Sequence, residues 1–548
     1  MSFRWSLAAA YFGIAVVCGC RAASSTETMT PLTRAELSGF QETSRYEEVR
    51  AFITALTART PHARVEIFGQ TEEGRDLPLL VIGDPPASSR VRDTPSRLPV
   101  VLVIANIHAG EVEGKEAVLH LARRLTLGNL QPLLRSAVWL FVPIYNADGN
   151  ERVSLENRSE QYGPIGGVGT RENARGLDLN RDFMKLESSE ARALVGLLTR
   201  WDPDVIVDLH TTNGSYHGYH LTYAPPLNPN TDTGITAFAR ERLLPSIRSA
   251  MAARHRLRTY DYGNFSTSAS LDEELEGFAP GDTRQKVWRT FDARPRFGGS
   301  YVGLRNRIAI LSEAYSYVDF EKRIQATEAF VEEIMRFVGD NATDIRTLIT
   351  RADAEWSGRD TPVEGGVAFA LRPLPQPVDI LVGAVETQMN ARSGKPMRAM
   401  VGNVTPTSMI VYDGFVSKET RPVPREYVVR ASSNGLHETV ARKLREHGIL
   451  VETTDVPSRR SVDQFAIAQV RHAERAFQGH NETSVTGRFE RRQVEVPAGS
   501  LVVRTTQPLG RLVFYLLEPE SDDGLTTWNV FDSALAAGGI HPVLKVVP

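Results

Sequence analysis

The stretch Val100-Val101-Leu102-Val103-Ile104-Ala105-Asn106-Ile107-His108-Ala109-Gly110-Glu111 decides how the rest of the chain is read. Its first part is apolar almost without interruption, as strands buried on both faces are. It ends in an imidazole and, three positions on, a carboxylate. Two further apolar runs end in the same way. Val205-Ile206-Val207-Asp208-Leu209 leads into His210, and Ile308-Ala309-Ile310-Leu311-Ser312 into Glu313. Two imidazoles and one carboxylate make the protein shell of a catalytic zinc, which keeps a fourth position for water. A further carboxylate can take that water's proton. His108, Glu111 and His210 are therefore expected to hold one zinc ion per chain, with Glu313 as general base.

Working outward, strands are expected near 99–106, 136–143, 203–209 and 306–312. They alternate with helical patterns near 112–126, 187–200, 235–255 and 320–338. A helix is expected near Tyr46 to Arg59, where Val49, Phe52, Ile53 and Leu56 share one face. Val65 to Gly69 and Leu77 to Ile82 flank Glu72-Glu73-Gly74-Arg75, a hairpin signature. This order predicts an α/β fold, a mixed and largely parallel sheet flanked by helices. In such sheets sites form beyond the carboxyl ends of strands, where His108, His210 and Glu313 stand.

Several motifs then follow in series. His108-Ala109-Gly110-Glu111 precedes Tyr145-Asn146-Ala147-Asp148-Gly149, then Leu177-Asp178-Leu179-Asn180-Arg181-Asp182-Phe183, Leu209-His210-Thr211 and Ser312-Glu313. Over roughly residues 40–340 the chain thereby resembles the M14 family of zinc carboxypeptidases. The resemblance implies a metallocarboxypeptidase that hydrolyses C-terminal peptide bonds with a zinc-activated water. It places Asp178 behind the first ligand histidine, fixing its tautomer. Arg171, nine residues before Asn180, is expected to stabilise the oxyanion, with Arg175 as a competitor. Asn180 and Arg181 match the pair that binds the substrate's terminal carboxylate. Tyr301 is the candidate for the substrate-capping tyrosine. His217 and His220 are expected on the pocket rim rather than as ligands.

The 548 residues are too many for one core. A boundary is expected where Ser357-Gly358-Arg359-Asp360-Thr361-Pro362 and Gly365-Gly366 interrupt the pattern. The organisation read from sequence is a lipoprotein signal peptide (1–19), a tether (20–38), the peptidase-like domain (39–345), a linker (346–375) and a separate C-terminal α+β or β-rich accessory region (376–548). In that last part Glu426 to Val429, Leu436 to His447 and Gly448 to Val451 read as strand, helix and strand. Residues 485–517 alternate in strand fashion.

With 63 basic against 66 acidic residues the net charge is −3, which gives no reason to expect nucleic-acid binding. Arg4, an apolar stretch from Ser6 to Val17 and Val17-Cys18-Gly19-Cys20 resemble a bacterial lipoprotein signal. The only two cysteines lie there, and cleavage before Cys20 leaves one thiol to acylate. An exported protein is expected, lipid-anchored through Cys20 on the periplasmic face of the outer membrane. Its partners are then a peptide or peptidoglycan-derived substrate and the membrane. Rival readings are a peptidoglycan stem-peptide hydrolase or amidase with the same site, an amide deacylase, and a non-catalytic binding lipoprotein.

Overall fold

Eight strands build the sheet on which the candidate site stands. They are β1 (Ala63–Gln70), β2 (Asp76–Ile82), β3 (Val100–Ala105), β4 (Val138–Val142), β5 (Val205–Thr212), β6 (Leu221–Ala224), β7 (Thr259–Asp261) and β8 (Ile308–Tyr315). Their order is β1-β2-β4-β3-β5-β8-β6-β7. The computed structural model describes residues 1–2, 30–86, 98–267 and 286–547; all but the first two residues of the expected signal peptide, and Cys20 after it, lie outside them. Among the described residues no helix is long and apolar enough to cross a membrane.

The centre of the sheet is parallel: β3 pairs in parallel with β4 and β5, and β5 with β8. β1 and β2 form the expected antiparallel hairpin, and β6 runs antiparallel to β8. Every residue of β3 and β5 is buried. Val101, Val103 and Ala105 face a core shared with helices Tyr46–Thr57, Glu113–Leu127, Leu244–His255 and Phe320–Asp340. Leu102 and Ile104 face the opposite core, with helices Ser189–Trp201 and Gly298–Leu304. Alternation along one strand thus feeds two layers of helix. Ser188 caps the helix that follows it by accepting from the Ala191 N–H.

The C-terminal region carries a six-stranded sheet. Its strands are β9 (Glu426–Val429), β10 (Glu452–Thr453), β11 (Ser458–His472), β12 (Thr483–Val496), β13 (Leu501–Arg504) and β14 (Ile540–Val546), in the order β10-β13-β9-β14-β11-β12. It does not stand apart from the peptidase fold. Tyr427, Val440, Leu444 and Phe514 lie in one buried core with Leu194, Leu198, Trp201 and Val302. The buried Arg305 Nη1 donates to the His447 carbonyl at 2.9 Å, and Trp356 Nε1 donates to the Thr505 carbonyl at 3.0 Å. Strand 411–422 pairs with strand 287–289, which ties the segment before Phe297 to the C-terminal half.

Two sequence expectations are corrected here. Residues 346–375 are no linker: they contain most of helix Ala342–Ser357 and strand Glu364–Pro373. Gly365 is there for close packing, since a Cβ would run into the Phe514 ring. Residues 485–517 are not all extended, because Gly510–Leu517 is a helix. Its run Leu512-Val513-Phe514-Tyr515-Leu516-Leu517 is wholly buried and carries no two-residue period, so burial from all sides decides in favour of helix.

Candidate active site

The parallel pairing of β5 with β8 puts His210 and Glu313 directly opposite each other. Side chains two apart share a strand face, so Ile206, Asp208 and His210 on β5 line up with Ala309, Leu311 and Glu313 on β8. All six line one cavity of about 380 Å³. β3 pairs beside β5 and ends at Ala105. The turn after it, held where the Ala109 N–H donates to the Thr170 carbonyl, brings His108 and Glu111 to the same place.

His108 Nδ1 lies 3.1 Å from His210 Nδ1 and 3.1 Å from Glu111 Oε1, and His210 Nδ1 lies 3.0 Å from Glu111 Oε2. All three side chains are buried. The opposite nitrogen of each imidazole is engaged. His108 Nε2 is 3.1 Å from Asp178 Oδ1, and His210 Nε2 is 2.9 Å from Asp208 Oδ2. Protons held there leave both Nδ1 lone pairs facing Glu111, the donor set that zinc takes. The residues fit the metal. Burial alone would raise the Glu111 carboxyl, but the neighbouring His108 and His210 side chains hold it well below the usual carboxylate range. Burial likewise works against ionising Asp178, and the His108 hydrogen bond and charge outweigh it, keeping that carboxylate charged.

Glu313 is half-buried at the cavity wall. Desolvation pushes its carboxyl up to about 8, opposed by the His210 charge and helped by that of Glu111. Arg171 lines the cavity; its Nε donates to Asp178 Oδ2 at 2.9 Å, and its side chain stays 39% exposed. Arg175 lies elsewhere, donating to the Glu187 carbonyl and pairing with Glu72. Asn180 and Arg181 both line the cavity. Asn180 Oδ1 accepts from the Gly298 N–H at 3.0 Å, and the Arg181 guanidinium stacks 3.9 Å from the Phe297 ring centre.

Tyr301 is a correction. It is 0% exposed, and its hydroxyl lies 2.8 Å from His447 Nδ1 in the C-terminal region. A tyrosine committed to that interface cannot swing over a substrate. His217 and His220 are not on the rim either. His217 is buried against the Tyr315 ring at 4.0 Å, and desolvation lowers it to about 3; His220 is buried and lowered to about 4.

Three cavity residues went unread in the sequence. Asp208 sits two positions before His210 on one strand face, so period-two counting could have found it. Arg158 braces Glu111, with Nη1 at 3.2 Å from Oε1 and Nη2 donating to the Thr211 carbonyl at 2.9 Å. Tyr262 is half-buried on the cavity wall, its hydroxyl accepting from Asn264 Nδ2 at 3.0 Å. No spacing rule points to either of these last two.

The family model for zinc carboxypeptidases, peptidase M14, matches residues 49–280. Carboxypeptidase 2 of Trichophyton tonsurans is 22% identical over 493 residues, which cover 87% of this chain and 81% of that protein. Human carboxypeptidase Z is 32% identical over 154 residues, 27% of this chain and 22% of that one. Among solved structures, a metallo-carboxypeptidase from Burkholderia cenocepacia aligns with a TM-score of 0.39 at 19% identity, over 54% of this chain and 69% of its own.

Proposed function

Residues 49–280 of this chain belong to the zinc carboxypeptidases of family M14, and on that premise we propose that the protein, a zinc metallocarboxypeptidase, removes bulky apolar residues from free peptide C-termini at the cell envelope. The cavity carries the specificity. Below the level of His210 its wall is Ile104, Phe183, Leu198, Ile206, Val302 and Ala309. The one carboxylate on that strand face beneath the metal ligands, Asp208, spends Oδ2 on His210 and leaves Oδ1 buried without a hydrogen bond. An apolar side chain gains from such a wall, and an acidic one would meet the Asp208 carboxylate there.

His108, Glu111 and His210 would hold the zinc, which would supply a Lewis acid for the scissile carbonyl and acidify a water. Glu313 takes a proton from the attacking water and returns it to the departing amine nitrogen. A carboxyl already pushed upward by its surroundings suits holding that proton between the two steps. Arg171 presents its guanidinium to the oxyanion that develops. Asn180 and Arg181 receive the terminal carboxylate, with Phe297 fixing the guanidinium plane. Tyr262, on the cavity wall, takes the substrate-capping role expected of Tyr301.

The test is one peptide ending in Phe, free and C-terminally amidated, with a third form ending in Asp. Amidation removes the carboxylate partner of Arg181 and is expected to cost about 2–5 kcal/mol in kcat/KM. The Asp form should be cleaved more slowly than the free Phe form. Equal cleavage of free and amidated peptides would remove Asn180 and Arg181 from end recognition. The lipoprotein-like segment ending at Cys20 supports an acyl anchor on the periplasmic face of the outer membrane. Cys20→Ser should then leave the membrane fraction, and unchanged fractionation would remove the anchor.

A further inference from the structure

The loop between β11 and β12 ends in the turn Phe477-Gln478-Gly479-His480, closed by reciprocal backbone hydrogen bonds between Phe477 and His480. Gln478 has φ +51 and Gly479 φ +84. Positive φ at both central residues marks a turn that favours Asn or Gly at the first of them, and glutamine is an unfavourable choice. The turn is nevertheless held on several sides. His480 Nε2 lies 2.8 Å from Glu187 Oε1, and its Nδ1 lies 2.8 Å from Asn529 Oδ1. The Phe477 ring centre lies 5.1 Å from the Arg296 guanidinium, which is itself paired with Asp523.

This fixed turn delivers one group to the peptidase site. Gln478 Oε1 accepts the backbone N–H of Asp178 at 2.9 Å, across 300 residues of sequence. Asp178 is the residue whose Oδ1 faces His108 Nε2 and whose Oδ2 accepts from Arg171. It also opens a short helical turn as its N-cap, so its own N–H has no partner within that turn. A buried N–H must be paired, and here the pairing group comes from the C-terminal region. We propose that Gln478 is a positioning residue of the peptidase: it fixes the backbone of Asp178, and through that carboxylate the orientation of His108. The unfavourable turn residue is then retained for its side-chain acceptor, and the C-terminal region is part of the active site rather than an attachment to it. The inference rests on reading His108 as a zinc ligand.

Gln478→Gly separates the two roles a turn residue can have. Glycine suits φ +51 better than glutamine, which offsets the cost of leaving the Asp178 N–H without its acceptor, so stability stays near the parent's. Gln478→Glu keeps an acceptor of the same length. Full-length proteins loaded with zinc would be compared for the rate of zinc loss to a chelator, for kcat and KM on a peptide ending in Phe, and for melting temperature. Groups that orient a metal ligand typically contribute ten- to a hundredfold in affinity or activity, and Gln478 acts one residue further out. Gln478→Gly should lose zinc roughly three- to tenfold faster and drop in kcat by a similar factor, with KM within about twofold and a melting temperature close to the parent's. Gln478→Glu should stay within about twofold of the parent on every readout. The proposal is overturned if the Gly variant matches the parent, or if the Glu variant falls as far as the Gly variant. A parent that holds no zinc at this site would instead overturn the reading of His108, and the inference with it.

Discussion

The two sheets of this protein bury their strands in opposite ways. β3 and β5 expose nothing, whereas the long strands β11 and β12 alternate and carry exposed Arg471, Arg488, Arg491 and Arg492. A sheet covered on both faces has only its edges and strand ends left for chemistry, and the carboxyl ends of β5 and β8 carry His210 and Glu313. The crevice beside the second sheet, at Arg430, Asn434, Glu495 and Pro497, holds no ligand cluster of this kind among the described residues, but that sheet supplies β13, β9 and the neighbouring helices to a core shared with the first. The chemistry thus belongs to the buried sheet, while the other closes and braces it.

The largest effect that could break this division is loss of a ligand. His210→Ala leaves His108 and Glu111 alone, too few to hold a tetrahedral site. Zinc content should fall to background and turnover should vanish, with the second sheet still folded. Stoichiometric zinc in the purified variant would remove His210 from the metal site. Glu313→Gln comes next. It keeps the shape and the ligands but cannot accept a proton, so kcat should fall about a hundredfold or more while zinc content stays at one per chain. Near-normal turnover in that variant would take the base off β8.

How much was legible follows the same contrast. β3, β5 and β8 are readable because burial on both faces leaves an apolar run with a polar residue at its end, and that residue is where the chemistry stands. The ligands and Glu313 were found by this rule. Arg158 and Tyr262 were not, since they reach the cavity from irregular segments where no period constrains them. The C-terminal region was read as separate because no local pattern reveals that Leu444 and Tyr427 bury against Leu198 and Trp201. The helix Gly510–Leu517 was missed for a related reason: a run buried on all sides loses the alternation that tells helix from strand.

A third measurement concerns the flank of the buried sheet, where His120 lies between Glu36 and Glu328. Burial on its own would lower the imidazole, but hydrogen bonds and charge from the two carboxylates raise it to about 9. A raised folded-state value means that the stabilisation is fully present below the ordinary histidine range near 6.5. It is lost as pH climbs through about 9. The contribution is at most about 3–4 kcal/mol, since each tenfold change in proton affinity is worth about 1.4 kcal/mol. Denaturant midpoints should therefore fall between about pH 6.5 and 10 in the parent and run flatter in His120→Gln. Parallel pH curves for the two proteins would show that this cluster contributes nothing.

The smallest expected effect sharpens the comparison most, because it asks which sheet Tyr301 serves. The sequence put this tyrosine over the substrate; the structure buries it, with its hydroxyl against His447 Nδ1 and near the Arg305 guanidinium. Desolvation keeps His447 neutral, lowering it to about 3, so the contact is a hydrogen bond between uncharged groups. Tyr301→Phe preserves the ring and its packing beside Phe183, whose centre is 5.4 Å away. It removes one hydrogen bond and leaves a buried imidazole nitrogen short of a partner, which costs about 1–2 kcal/mol. A substrate-capping tyrosine would raise KM or lower kcat on losing its hydroxyl while stability stayed level. An interface tyrosine does the reverse. The expected result is a lower denaturant midpoint with kcat and KM both within about twofold of the parent. A tenfold change in either constant at unchanged stability would return Tyr301 to the substrate and detach it from the contact between the two sheets.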